Sequence, residues 1–166
     1  MTRDEVAGLL IARVLTREGG VADVGDGKGI TRWGQTPGWL DQFGLPTPTT
    51  KAEAEANYRT WLVRTGLMGL CDHADSLADA TIDYAIHSGH RVAIRSLQSA
   101  LGVAMDGIYG PETQAAVDVC ERRWMAQRIL GQRVRLLGRL ITDLPARSKW
   151  AAGWLNRLGD QIETLA

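Results

Sequence analysis

The sequence predicts a mainly helical protein with one irregular segment after its first helix, and two observations carry this prediction. Apolar residues recur at spacings of three and four along most of the chain, which is the period of a helix with one buried face. Glycine, proline and polar cap residues separate these stretches at short intervals, as expected at helix ends. Residues 19–36 lack the helical period, so we expect an irregular loop or a short β-hairpin there.

The composition is typical of a soluble globular protein. The 166 residues suffice for one core or two closely packed subdomains. Apolar residues make up 45% and charged residues 23%, and no apolar run is long enough to span a membrane. The first residues lack the uninterrupted apolar core of a secretory signal, so we expect synthesis in the cytoplasm without an export signal. Cys71 and Cys120 are expected to be reduced core residues.

The first half of the chain predicts two long helices and a short one. The first helix is expected from about Thr2 or Arg3 to Glu18, where two glycines end it. A short helix is expected around Trp39–Phe43, inside a stretch rich in proline and glycine. The next helix begins after Thr50, because a glutamate three residues later completes a capping box, and it continues to about Thr65.

The second half predicts helices over residues 74–87, 91–101, 112–141 and 146–165. The third of these is either one long helix or two, with Gly131 as its weak point. The core positions expected in the last two helices are Leu130, Val134, Leu137, Ile141, Trp150, Trp154, Leu155, Leu158 and Ile162.

The net charge of zero conceals a segregation of charge. Residues 71–120 carry seven acidic and two basic side chains, whereas residues 121–166 carry nine basic and four acidic ones. We interpret this pattern as solvated helix faces with ion pairs between the acidic middle and the basic tail. An electrostatic attraction for an anionic polymer is the alternative.

Glu18 is the first candidate for chemistry. It lies in the last turn of a helix, facing the negative end of the helix dipole, which disfavours its ionised form. A carboxylic acid that keeps its proton near neutral pH is what a glycosidase needs to protonate a leaving sugar oxygen. The position also suits an ordinary surface glutamate before a glycine cap, and position alone favours that interpretation.

The residues after Glu18 favour the catalytic role over the surface role. Glu18-Gly19-Gly20, followed by Asp26-Gly27-Lys28-Gly29-Ile30-Thr31-Arg32-Trp33-Gly34, resembles the signature of glycoside hydrolase family 108, the N-acetylmuramidases of phages and bacteria. The resemblance implies a lysozyme-like helical fold with Glu18 as the catalytic acid. It also implies that Asp26, with Thr31 nearby, positions a water or stabilises the charge on the sugar, and that Trp33 stacks on a sugar ring.

Three positions depart from the family pattern. The loop between Glu18 and Asp26 is one residue short, which leaves open whether Asp26 or Asp23 points at the substrate. Gly27-Lys28 stands where Pro-Gly is usual, and Gln35 replaces an apolar residue after the Trp-Gly pair.

A second stretch resembles the peptidoglycan-binding region of the same family. Its parts are Ile82-Asp83-Tyr84-Ala85-Ile86-His87-Ser88-Gly89, then Leu97-Gln98 with Leu101-Gly102, then Asp106-Gly107-Ile108-Tyr109-Gly110-Pro111 with Thr113. We expect Asp83, His87 and Gln98 to contact the substrate, although His87 stands where the family has Asn. Turn and cap roles are expected for Asp106 and Thr113. The predicted division is a catalytic region over residues 1–69 and a helical peptidoglycan-binding region over 70–166, packed together as one compact unit.

The same residues allow three alternative functions. A zinc amidase or peptidase would draw ligands from His73, His87, His90 and from Cys71, Asp72 or Asp83, but no ligand pair has metal-site spacing. A non-catalytic wall-binding module leaves the loop from Glu18 to Gly34 unexplained. A nucleic-acid or membrane binder would use the arginines of residues 122–139, but these alternate with an apolar stripe in a neutral chain.

The sequence therefore predicts a lysozyme-like muramidase of the endolysin type. It is expected to cleave the β-1,4 bond between N-acetylmuramic acid and N-acetylglucosamine in bacterial peptidoglycan, without a metal or other cofactor. We expect a monomer that binds no nucleic acid, does not insert stably into membranes, and reaches the cell wall after its release from the cytoplasm. Whether it inverts or retains depends on the separation of its carboxyl groups.

Overall fold

The computed structural model describes residues 1–23 and 29–165. Ten helical segments and one pair of short strands appear in these ranges, and they confirm the prediction of a mainly helical fold with a hairpin after the first helix. In chain order the elements are α1 (Arg3–Glu18), β1 (Val21–Asp23), β2 (Ile30–Arg32), α2 (Pro37–Gln42), α3 (Lys51–Thr65), a 3₁₀ helix (Leu67–Asp72), α4 (Ser76–Ser88), α5 (His90–Leu101), α6 (Pro111–Val119), α7 (Arg122–Asp143), a second 3₁₀ helix (Pro145–Trp150) and α8 (Ala151–Glu163). No helix in the described ranges is long and apolar enough to cross a membrane.

The chain divides into two compact units, Met1–Asp72 and His73–Ala166. The assignment of catalysis to the first part of the chain and wall binding to the second stays a prediction. Each unit has its own buried core.

The first unit is built on α1 and α3, which pack on each other and on the first 3₁₀ helix. Both helices begin with the complete capping box that satisfies their first backbone N–H groups, Thr2 with Glu5 in α1 and Thr50 with Glu53 in α3. An aromatic cluster closes the core beside α2, with neighbouring ring centroids 5.3–6.4 Å apart. The cluster consists of Trp39, Phe43, Tyr58 and Trp61.

The second unit surrounds α4. Every residue from Leu77 to Ala85 is buried, because α5, α7 and α8 all pack against this helix. A helix buried on every side can carry polar residues only if they find partners inside the core. This requirement determines the position of Asp83, described below.

Two predictions for the second half were wrong. The break within residues 112–141 lies at Cys120 and Glu121, not at Gly131, because the Glu121 side chain caps α7 by accepting a hydrogen bond from Trp124 N at 2.5 Å. The last stretch is a 3₁₀ helix followed by α8, not one helix.

Part of the predicted core of α7 and α8 is also wrong. Val134, Leu155 and Ile162 are 42%, 53% and 50% exposed, whereas Arg133 and Gln161 are each 1% exposed. The helical period is correct, but the inward faces of both helices include polar side chains.

Candidate active site at the end of the first helix

Glu18 lies where α1 ends and the hairpin begins. Gly19 terminates the helix with a φ of 72°, and the two short strands then pair antiparallel, Val21 with Arg32 and Ala22 with Thr31. The second strand leads directly into a tight turn. Helix end, hairpin and turn therefore lie close together in sequence and in space.

The turn spans Arg32 to Gln35 and presses against Glu18. Its two central residues have positive φ angles, 48° at Trp33 and 81° at Gly34, as in a type I′ turn. Gln35 N donates to Arg32 O at 2.9 Å, and Arg32 N donates to Gln35 O at 3.1 Å. A Cβ atom on Gly34 would lie 2.6 Å from Glu18 Oε2 and 2.7 Å from Glu18 Cδ. Glycine is therefore required here both by the backbone and by the side chain of Glu18.

Trp33 is held in a conformation that a bulky residue rarely adopts. The backbone N–H of Trp33 donates to Gly20 O at 2.9 Å, and its backbone carbonyl accepts a hydrogen bond from the Tyr58 hydroxyl at 2.8 Å. Strain of this kind persists only when the surroundings fix the backbone, and it concentrates at functional sites. The backbone of the half-buried Trp33 is thus held by Gly20, between α1 and β1, and by Tyr58 of α3.

Gln35, which departs from the family pattern, anchors the turn to α3. Its side chain is 1% exposed. Its Nε2 donates to Ala54 O at 2.8 Å, and its Oε1 accepts from Asn57 Nδ2 at 2.8 Å. Asn57 Nδ2 also donates to Pro46 O at 2.8 Å. Sequence reasoning missed Asn57 and Tyr58 as supports of the site; a polar amide at an inward position of α3 was the available signal.

The structure describes only some of the other residues predicted for this site. Glu18 and Thr31 are half-buried, with Thr31 on β2 opposite Ala22. Asp26 lies outside the described residues, as does the side chain of Asp23, so the choice between the two carboxylates stays a prediction. Within the described ranges, the structure brings together Glu18, Trp33 and Gly34.

Asp83 is the centre of a buried charge cluster. Its carboxylate accepts from Arg133 Nη1 at 2.7 Å and from Arg157 Nε and Nη2 at 2.9 Å and 2.8 Å. Burial alone would raise the pKa of Asp83, but the hydrogen bonds and positive charges of Arg157 and Arg133 outweigh it and hold that pKa well below its usual range. Arg133 Nη1 also donates to Gln161 Oε1 at 2.8 Å.

This geometry corrects the role predicted for Asp83. With an exposure of 0% and two guanidinium groups on its oxygens, Asp83 is not accessible to a polymer in solvent. It joins α4 to α7 and α8 instead. Together with the pair between Arg122 and Asp75, the cluster confirms the predicted ion pairs between the acidic middle and the basic tail.

Gln98 is likewise a scaffold residue in this structure. It is 1% exposed, and its Nε2 donates to Asp106 Oδ1 at 2.7 Å and to Ile108 O at 3.0 Å. Its Oε1 accepts from Gly107 N at 2.9 Å. The expected turn role of Asp106 agrees with this network, and hydrogen bonds from the Ile108 backbone and from Gln98 lower the pKa of Asp106.

The three histidines occupy different surroundings. His87 is half-buried with its ring edge-on to Trp154, at a centroid distance of 6.1 Å, and Trp154 in turn lies 6.2 Å from Trp150. His73 is exposed, and burial followed by the charge of Arg91 lowers the pKa of His90. In residues 1–23 and 29–165, no group of three or more His, Cys, Asp or Glu side chains is arranged to hold a metal ion.

Comparison with known proteins adds two findings. Residues 92–159 match the family model described as "Predicted Peptidoglycan domain". Over nearly the whole chain the fold is similar to the structure of Brucella abortus SagA, with 26% sequence identity, a TM-score of 0.77, and coverage of 98% of this chain and 94% of that one. No curated protein matches the sequence. The family match supports peptidoglycan as a partner of the chain and a role related to the cell wall.

Proposed function

We propose that this chain is a peptidoglycan hydrolase that cleaves the β-1,4 bond between N-acetylmuramic acid and N-acetylglucosamine. One observation carries the proposal: the turn at Trp33-Gly34 lies directly against the carboxylate of Glu18. The two parts of the motif that resembles the muramidase signature, Glu18 at the end of α1 and the Trp33-Gly34 turn, therefore lie in contact.

In this proposal Glu18 protonates the leaving glycosidic oxygen. Its half-buried position beside Gly34 leaves the carboxyl group partly open to a ligand and fixes it against rigid backbone. Asp26, with Thr31 nearby, would position water or stabilise the positive charge on the sugar, and Trp33 would stack on a sugar ring. A group held by the surrounding fold loses little entropy when the reaction begins, which is a major source of catalysis.

The experiment is digestion of purified peptidoglycan sacculi, with mass spectrometry of the released fragments. A muramidase releases fragments with N-acetylmuramic acid at the new reducing end. Glu18→Gln should abolish release while the melting temperature stays unchanged, because the substitution is nearly isosteric and removes the transferable proton. Glu163→Gln makes the same change at an exposed position of α8 and should leave release unaffected.

Three results would contradict the proposal. Release at the wild-type rate by a folded Glu18→Gln variant would remove Glu18 from the chemistry. Fragments ending in 1,6-anhydro-muramic acid would show that the bond is broken without water, and fragments with new amino termini would indicate an amidase or peptidase.

A non-catalytic wall-binding module is the second candidate, because the matched family region covers residues 92–159 and not the Glu18 turn. It predicts that the protein sediments with sacculi and releases no fragments, and that Glu18→Gln changes neither result. The same digestion therefore separates the two functions.

A further inference from the structure

A groove of about 270 Å³ lies between α5 and α7 in the second unit, whereas the Glu18 turn belongs to the first unit. Apart from Tyr84, its lining belongs to the region that matches the peptidoglycan family model. Three of its lining residues are arginines, Arg95 from α5 and Arg135 and Arg139 from α7. We call this feature the arginine groove.

Arg135 and Arg139 are available to a ligand. Both are exposed, and neither forms an ion pair or hydrogen bond with any side chain in the described part of the protein. They are four residues apart on one helix, so their Cα atoms are about 6 Å apart along the helix axis. Two neighbouring guanidinium groups without counter-ions repel each other, and an anion between them would relieve that repulsion.

Arg95 is placed on the opposite wall by the turn at Asp106-Gly107. Gly107 has a φ of 77°, and a Cβ there would lie 3.2 Å from Arg95 Nε and 3.4 Å from Arg95 Cγ. The Arg95 side chain therefore rests on the bare backbone of this turn. The Asp106 carboxylate already accepts hydrogen bonds from Gln98 and Ile108 N, so it offsets the charge of Arg95 only in part.

The groove also has apolar walls. Val92 and Met105 are 39% and 57% exposed, and Leu136, which also lines the groove, is half-buried. Ser99 and Gln132 add neutral hydrogen-bonding groups. The lining thus suits a ligand that carries carboxylates together with small apolar side chains.

We propose that the arginine groove binds the carboxylate-bearing peptide stem of peptidoglycan. The proposal rests on the proposed function, since it names the part of the same polymer that this unit holds. Guanidinium groups pair with carboxylates through two parallel hydrogen bonds, which gives both affinity and orientation. A nucleic acid fits less well, because the chain has no net charge and Tyr84, the aromatic residue of the lining, is 1% exposed and offers no stacking face.

The test uses a soluble probe that the proposed activity does not cleave. The disaccharide N-acetylglucosaminyl-N-acetylmuramic acid with its peptide stem lacks the scissile bond, and two companions serve for comparison: the same disaccharide without peptide, and the same peptide with its carboxylates amidated. Binding of each probe to the wild-type protein is measured by isothermal titration calorimetry at low and at physiological salt.

Arg135→Gln with Arg139→Gln should weaken binding of the acidic probe by roughly tenfold or more, with an unchanged melting temperature. Arg123→Gln with Arg128→Gln is the matched control, since it removes two exposed arginines from the same helix outside the groove. That control should change the affinity by less than about twofold.

The proposal is overturned if the amidated probe or the bare disaccharide binds as tightly as the acidic probe. Equal losses in the groove variant and the control would show a general charge effect, which also refutes it. A groove variant that loses affinity for an oligonucleotide or an anionic vesicle but keeps its affinity for the acidic probe would also refute the proposal. These measurements need no hydrolysis, so they fail or succeed independently of the digestion of sacculi.

Discussion

Removal of the negative charge of Asp83 should destabilise the second unit severely. The variant Asp83→Asn keeps the size of the side chain and removes the negative charge that Arg133 and Arg157 share, and these side chains are 1% and 11% exposed. Breaking a buried ion pair by removing one partner costs about 3–5 kcal/mol. For a chain of this size, that corresponds to a fall in melting temperature of about 6–20 °C.

The assay is thermal unfolding followed by circular dichroism, with Asp143→Asn as a control that removes an exposed carboxylate from α7. The control should change the free energy of unfolding by less than about 0.5 kcal/mol. The double variant Asp83→Asn with Arg157→Gln should lose less than the sum of the two single losses, because both changes disrupt the same buried network.

The pH dependence gives a second readout of the same cluster. Since the pKa of Asp83 is lower in the folded than in the unfolded protein, its contribution to stability is fully present above the unfolded value of about 4. The contribution is lost as the pH falls below that value toward the folded pKa. The wild type should therefore lose stability more steeply on acidification than Asp83→Asn. Equal melting temperatures at neutral pH, or parallel pH profiles, would refute the assignment.

Two further predictions concern the Glu18 turn and the thiols. Gly34→Ala should lower the rate of fragment release from sacculi by roughly tenfold or more, because its Cβ would displace the Glu18 carboxylate and strain a φ of 81°. The control Gly38→Ala meets nothing within 4 Å and should leave the rate unchanged. Equal rates for the two variants would contradict the contact between Gly34 and Glu18. Burial raises the pKa of the Cys71 thiol to about 11. A thiol reagent at pH 8 should therefore label Cys71 only after the protein unfolds. Rapid labelling of the folded protein would contradict this burial.

Local signals in the sequence were sufficient for the elements that begin with their own caps. The predicted bounds of α1 and α3 agree with the observed ones, Arg3–Glu18 and Lys51–Thr65. Each capping box lies within four residues of chain, and a glycine, Gly19 or Gly66, follows the end of each helix. The break between α6 and α7 was misplaced because it lacks such a clear local signal. It depends on a cap by Glu121, and no glycine or proline marks it, whereas Gly131 lies inside α7 without interrupting it.

Long-range polar contacts explain the errors in the predicted core. The hydrogen bonds that join Asp83 to Arg133 and Arg157 span 50 and 74 residues of sequence, and a count of apolar spacings assigns charged residues to the solvent side. Once Asp83 is buried in α4, the facing positions of α7 and α8 must supply its partners. Leu155 and Ile162 then face outward, and Arg157 and Gln161 face inward.

The second motif shows why a specific sequence pattern need not contain the binding residues themselves. From Leu97 to Thr113 its polar groups bind each other: Gln98 engages Asp106, Gly107 and Thr113, and none of these contacts leaves the motif. The backbone of Gly107 is buried, and the Arg95 side chain packs directly against it. The proposed arginine groove includes Arg95, which the motif holds in place. Arg95 lies on α5, whereas Arg135 and Arg139 lie on α7, so spacing along the sequence does not group Arg95 with the other two.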